Sequence, residues 1–170
     1  MLPQRNWRDL IKPKKLSFDE NEVSEKFGKF VGEPFERGFG ITIGNSLRRI
    51  LLSSLQGAAI TSVRCEGVLH EFSTLPGVRE DITDIVLNLK EVLVRLNDGL
   101  EASARIEAKG PCEVKAGDIK VGPDVEILNP DVHIASLAED GELQIDLTIR
   151  VGRGYVPAER NKDEEAPVGT

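Results

Sequence analysis

The sequence predicts an α+β fold in two lobes. Strands plus one amphipathic helix form the first, and a mostly antiparallel, β-rich region with a helix of its own forms the second. Two observations predict it. Residues 42–55 and again 79–91 carry apolar side chains at helical spacing, whereas residues 100–108 and 143–151 alternate apolar and polar residues with the period of a half-buried strand. We expect a first lobe over residues 1–56, a second over 57–159, and a polar loop or tail over 160–170.

Residues 1–21 hold Trp7, Leu10, Ile11 and Leu16 among basic residues and read as an arm that docks a few apolar side chains. Residues 22–33 read as an extended strand, and Gly38 and Gly40 turn the chain into the first helix. Ile43, Leu47, Ile50, Leu51 and Ser54 form its apolar stripe, with Leu55 beside it. Asn45, Arg48, Arg49 and Leu52 fall on the other faces. Gly44 costs this helix about 1 kcal/mol relative to alanine, which asks for close approach by another backbone. Gly57 is placed to end the helix, and a strand follows over 59–66.

In the second helix Ile82, Ile85, Val86 and Leu89 share a face, and Glu80 and Asp81 suit its positive amino end. Asn97-Asp98-Gly99 signals a hairpin and Asp140-Gly141 a further tight turn. Shorter strands are expected near 119–121, 125–128 and 132–137.

Charge is uneven. The whole chain carries 22 Lys+Arg and 29 Asp+Glu, a net of −7. Residues 1–64 are net basic and the remainder strongly acidic. An acidic chain is a poor non-specific ligand for a polyanion, so direct DNA binding is not expected. Cys65 and Cys112 fit neither a metal spacing nor a disulfide framework, and Cys65 reads as a buried free thiol. No apolar stretch approaches membrane-spanning length and the start lacks a secretory hydrophobic region, so the chain reads as cytoplasmic.

Three motifs invite a chemical reading. Gly38, Gly40 and Gly44 resemble a dinucleotide loop, but Pro34 and Glu36 separate them from the strand and no βαβ unit follows. His70, Glu71 and Ser73 suggest a hydrolase, yet nothing in the sequence places them convergently. Gly152-Arg153-Gly154-Tyr155 fits either a partner contact or a bulged strand end. No catalytic residue, cofactor or metal site is expected. For Arg48 and Arg49 the alternatives are a subunit contact and an ion pair within the chain. Leu69 and Phe72 fit a reading as core residues under a loop.

Three ordered segments carry a resemblance. The first runs from Pro34 through Gly38, Phe39, Gly40, Asn45, Ser46, Leu47, Arg48 and Arg49 to Ser54. The second is Glu66-Gly67-Val68-Leu69-His70-Glu71-Phe72-Ser73-Thr74, continued by Gly77-Val78-Arg79-Glu80-Asp81-Ile82. The third is Gly152-Arg153-Gly154-Tyr155-Val156-Pro157-Ala158. Together they resemble the amino-terminal assembly region of the bacterial RNA polymerase alpha subunit, densely over residues 32–96 and loosely to residue 150.

That resemblance implies a scaffold in which two alpha copies pair and dock the beta and then the beta-prime subunit, with polymerisation chemistry left to the large subunits. It implies beta contacts through Arg48, Arg49 and Leu52 and through Leu69, His70, Glu71, Phe72, Ser73 and Thr74. Phe35, Phe39, Ile43, Leu47, Ile50 and Leu51 become candidates for the homodimer interface. The family continues past the third motif with a return to the first, dimerisation lobe. On this reading the chain is truncated at Thr170, dimerisation is weakened, and the beta-prime contact belongs mainly to the missing return. The alternative is a stand-alone α+β interaction module that mimics alpha, and a more remote one is an enzyme using the His70/Glu71 loop.

Overall fold

The computed structural model describes residues 10–19, 23–24, 27–162, 167 and 169–170. The chain divides into two compact units, Met1–Leu52 and Ser53–Thr170.

In the first unit, β1 (Leu16–Phe18) pairs antiparallel with β2 (Phe30–Gly32), Leu16 opposite Gly32. Phe18 and Phe30 face each other across the pair with ring centroids 5.8 Å apart. The arm expected over 1–21 therefore contributes a strand, while Trp7 lies outside the described residues. The strand expected over 22–33 is shorter than its pattern suggests. Beyond β2, only an isolated bridge between Ser24 and Phe27 is formed in the part described.

Helix α1 spans Phe39–Ser53, three residues ahead of the expected start. Gly38, at φ +87°, makes the turn that only a residue without Cβ takes cheaply, and its carbonyl accepts from the Thr42 amide. Gly40 thus lies inside the helix. Gly57 does not end it, because the chain has already left the helix at Ser53 and Gly57 pairs with Gly152 inside a strand.

The second unit is built on a six-stranded antiparallel sheet. Its strands are β3 (Gln56–Cys65), β4 (Val94–Leu96), β5 (Glu101–Lys109), β7 (Lys120–Val121), β8 (Val125–Ile127) and β10 (Glu142–Arg153), in the order β7-β5-β10-β3-β4-β8. β6 (Cys112–Lys115) and β9 (His133–Leu137) pair separately. Helix α2 runs Ile82–Glu91, and a short α3 covers Ala158–Asn161, its last two residues within the span expected to be loop.

Alternation works as expected in the long strands. Leu143, Ile145, Leu147 and Ile149 of β10 are buried, as are Ala104 and Ile106 of β5, against Ile82, Ile85 and Leu89 of α2 and Val114, Ile134, Ala135 and Leu137 of the small sheet. Complete burial of each large side chain contributes about 1.5–3 kcal/mol. Ile106, Ile145 and Cys65 form one row across three strands. Cys65 is the expected buried free thiol, and burial pushes its pKa up to about 11.

The Asn97-Asp98-Gly99 turn is real, with Gly99 at φ +79° and its amide bonded to Asp98 Oδ1. It does not make a hairpin, because β4 and β5 are separated in the sheet by β3 and β10. The Asp140-Gly141 turn likewise joins strands of different sheets. It packs so closely on the loop after β3 that a Cβ on Gly77 would fall 2.5 Å from the Gly141 Cα.

Candidate protein-interaction surfaces

Within α1 no residue is buried. Phe39, Ile43, Leu47, Ile50 and Leu51 follow one another along one side of the helix, and Leu47, Ile50 and Leu51 are 53–59% exposed. An apolar stripe of this width is the pattern of a helix that packs on something. Phe35 is different, being half-buried over Gly32, where an added Cβ would lie 3.2 Å from its ring and 3.1 Å from Leu16. Arg48, Arg49 and Leu52 project from the remaining faces. Thr42 and Ser46 hold their hydroxyls on carbonyls one turn back, so these two side chains are satisfied within the helix and its lead-in.

The second cluster is the loop after β3. The chain turns at Glu66 and Gly67, buries Val68, and then exposes Leu69 and Phe72 to 71% and 78%. The reading of these two residues as core under a loop does not hold. Their exposure has a local cause, since the backbone of this loop is tied down on its other side. The Ser73 carbonyl accepts from the Ile82 amide at 3.2 Å, and the Glu71 carbonyl accepts from Thr83 Oγ1 at 2.9 Å. The first turn of α2 therefore carries the loop. Its amino end is capped by Asp81, whose Oδ1 accepts from the Asp84 amide at 2.7 Å.

His70 and Ser73, expected not to converge, do meet. Ser73 Oγ and His70 Nδ1 are 3.1 Å apart. A nucleophilic serine needs its base oriented in turn by a third group. Among the described residues no carboxylate holds the exposed imidazole. The pair closes the loop on itself.

Glu80 also departs from expectation. Beyond standing just ahead of the helix start, its carboxylate reaches across to β9, where it meets Ser136 and His133. Charge near a helix start was the only local signal, and its partners lie 53–56 positions away.

A groove of about 820 Å³ runs beside β3, with residues of α2 and α3 and with Lys162, Pro167 and Thr170 in its lining. It is lined by Ile60, Val63, Ile82, Val86 and Leu89 below and by Leu69 and His70 at one end. The groove exists because β3 meets β4 only at Ala58↔Val94, so residues 60–65 pair on one side alone among the described strands. At the far end of β10, Gly154 turns at φ +62° and Tyr155 stands 90% exposed, while Arg153 donates to Gln56 Oε1 at 3.3 Å. No cluster of metal-ligating side chains is present among the described residues, and no helix there is long and apolar enough to cross a membrane.

Residues 60–170 match the family described as the RNA polymerase Rpb3/RpoA insert domain. The chain is 58% identical over 166 residues, 98% of its length, to the DNA-directed RNA polymerase subunit alpha of Pelobacter propionicus, and equally to that of Geobacter metallireducens. Both are matched over 49% of their own length, so the chain spans about half the length of the curated relatives it matches.

Proposed function

Because the chain belongs to the family of the RNA polymerase Rpb3/RpoA insert domain, we propose that it is the assembly region of a bacterial RNA polymerase alpha subunit. The single observation that carries this reading is the likeness to two alpha subunits over nearly the whole chain. It works as a scaffold in the cytoplasm: two copies pair, and the pair docks the beta and then the beta-prime subunit. Nucleotidyl transfer belongs to the large subunits. A free-standing module that mimics alpha gains no support, since the likeness runs across 98% of the chain rather than through isolated motifs.

Residues 1–56 serve pairing and residues 57–159 serve the beta contact, with 160–170 leading onward. Pairing runs through the α1 stripe of Phe39, Ile43, Leu47, Ile50 and Leu51, with Phe35 at its base. Beta is held by Arg48, Arg49 and Leu52 and by Leu69, His70, Glu71, Phe72, Ser73 and Thr74. What supports this division is the apolar exposure of both clusters in a single copy, since buried aromatic and arginine anchors carry most of the energy of a protein contact.

The test is capture of purified beta subunit by this chain, with Arg49→Ala and Phe72→Ala alongside. Loss of a charge-assisted or aromatic anchor weakens capture about tenfold or more while the circular dichroism spectrum stays unchanged. Equal capture by all three chains overturns the site assignment. No capture by a folded wild-type chain overturns its competence to hold beta alone.

A further inference from the structure

Glu80 and His133 meet where the lead-in to α2 crosses β9. His133 Nε2 lies 2.9 Å from Glu80 Oε1, and His133 Nδ1 lies 3.0 Å from Glu113 Oε1 on β6. The other Glu80 oxygen accepts from the Ser136 amide at 2.7 Å, and the Ser136 hydroxyl donates to Glu80 Oε1 at 3.1 Å. The Glu80 side chain is only 15% exposed. The charged groups around the ring are Glu80 ahead of α2 and Glu113 and Lys115 on β6, with Lys115 Nζ 3.7 Å from Glu113. The α2 helix itself offers the neutral Asn88, which donates to the Ile134 carbonyl at 3.0 Å.

A ring with a carboxylate at each nitrogen must donate through both, and only the imidazolium does so. A neutral ring would set a nitrogen lone pair against one carboxylate oxygen. The Glu80 carboxylate accordingly holds His133 above the ordinary imidazole value of 6.5, against the opposing effect of burial and with help from Glu113. Burial opposes ionisation of Glu80, but the Ser136 amide, His133 and the Ser136 hydroxyl outweigh it and hold the carboxyl below the usual 4.5.

The same lead-in carries the exposed loop. Arg79 donates its amide to the Ser136 carbonyl at 3.0 Å, and two residues past Glu80 the Ile82 amide holds Ser73. We propose that Glu80, His133 and Glu113 form a proton-held clasp that positions residues 69–74 for a protein partner and loosens when the ring gives its proton to water. The clasp rests on the partner-contact reading of that loop. Glu80 and His133 are positioning residues, acting through the first turn of α2.

The sign follows from the two directions. His133 binds its proton more tightly when folded, so its contribution is complete below pH 6.5 and is lost as pH rises through the folded value. Glu80 contributes fully above pH 4.5 and is lost as pH falls through its folded value. The clasp is complete between these limits and opens on the alkaline side.

The experiment is a proton NMR titration of the two histidines in the 170-residue chain, with amide exchange on the same samples. The resonance missing in His133→Gln should titrate above 6.5, and Glu80→Gln should bring it down. Protection factors of the Ser136 and Ile82 amides should fall roughly three- to tenfold from pH 6 to pH 8.5, the net worth of one ordinary hydrogen bond. That fall should vanish in His133→Gln, with the Ile106 and Ile145 amides unchanged as a monitor of the fold. His133 titrating at or below 6.5, or a pH dependence that survives in His133→Gln, overturns the clasp. Because neither readout involves the beta subunit, failure of beta capture overturns the contact reading and leaves these results standing by themselves.

Discussion

Truncating Leu47 to alanine should weaken self-association of the chain about seventyfold. Leu→Ala removes roughly 2.4 kcal/mol of transfer free energy on complete burial, at about 0.8 kcal/mol per CH₂. Leu47 is already partly covered in the single copy, with 53% of its surface open, so pairing stands to gain about half of that, roughly 1.3 kcal/mol. A two-fold interface uses the same residue on both copies, which doubles the loss to about 2.5 kcal/mol and gives roughly seventyfold in Kd. Sedimentation equilibrium across a concentration series measures it, with far-ultraviolet circular dichroism to confirm that α1 persists. A change of less than threefold, or a wild-type chain that stays monomeric throughout, refutes the reasoning that this stripe is a self-contact.

Other outcomes follow from the core and the thiols. Ile106→Ala should destabilise the second unit by about 2–4 kcal/mol, lowering the urea midpoint without changing the slope. Gly77→Ala should cost about 2 kcal/mol or more, because a Cβ meets the Gly141 backbone at a positive φ; a smaller loss in the same urea experiment contradicts the close approach. A thiol reagent should label Cys112 quickly and Cys65 only on unfolding, since Cys65 is buried with a pKa near 11; rapid labelling of the Cys112→Ser chain would contradict that burial.

Much of the fold could be read ahead of the structure, and several of the failures come from contacts distant in sequence. Period-two alternation marked β5 and β10 because half of each strand faces one core, and the burial of Leu143, Ile145, Leu147 and Ile149 follows directly. Turn chemistry at Asn97-Asp98-Gly99 described the local reversal correctly, but local chemistry is silent on which strands will pair. The strands β4 and β6, with three and four residues, are too short to show any period. At the surfaces, the apolar stripe of α1 was legible from spacing alone. Glu80 was read only in part because its neighbours in sequence explain its charge well enough, and only the fold brings Ser136 and His133 to it. The contact between His70 and Ser73 is local by contrast, made by a turn in which the Ser73 amide donates to the His70 carbonyl at 3.2 Å, and no glycine or proline between them marks that turn.

The place of β10 between β5 and β3 has a consequence in time. Thr61 bonds to Thr148 across 87 positions of chain, and Gln56 to Arg153 across 97. On a ribosome adding about 5–20 residues per second, β3 waits several seconds for its partner, and β5 waits too. Nearer partners cover little of either strand, since β4 meets β3 at one position and β7 meets β5 at two. The long central ladders of the second unit should therefore stay open through most of its synthesis and then close late, in one cooperative event, when the last long strand emerges. Until then β3 and β5 present largely bare ladders to the cell, and the speed of translation from residue 66 through residue 153 sets how long that exposure lasts.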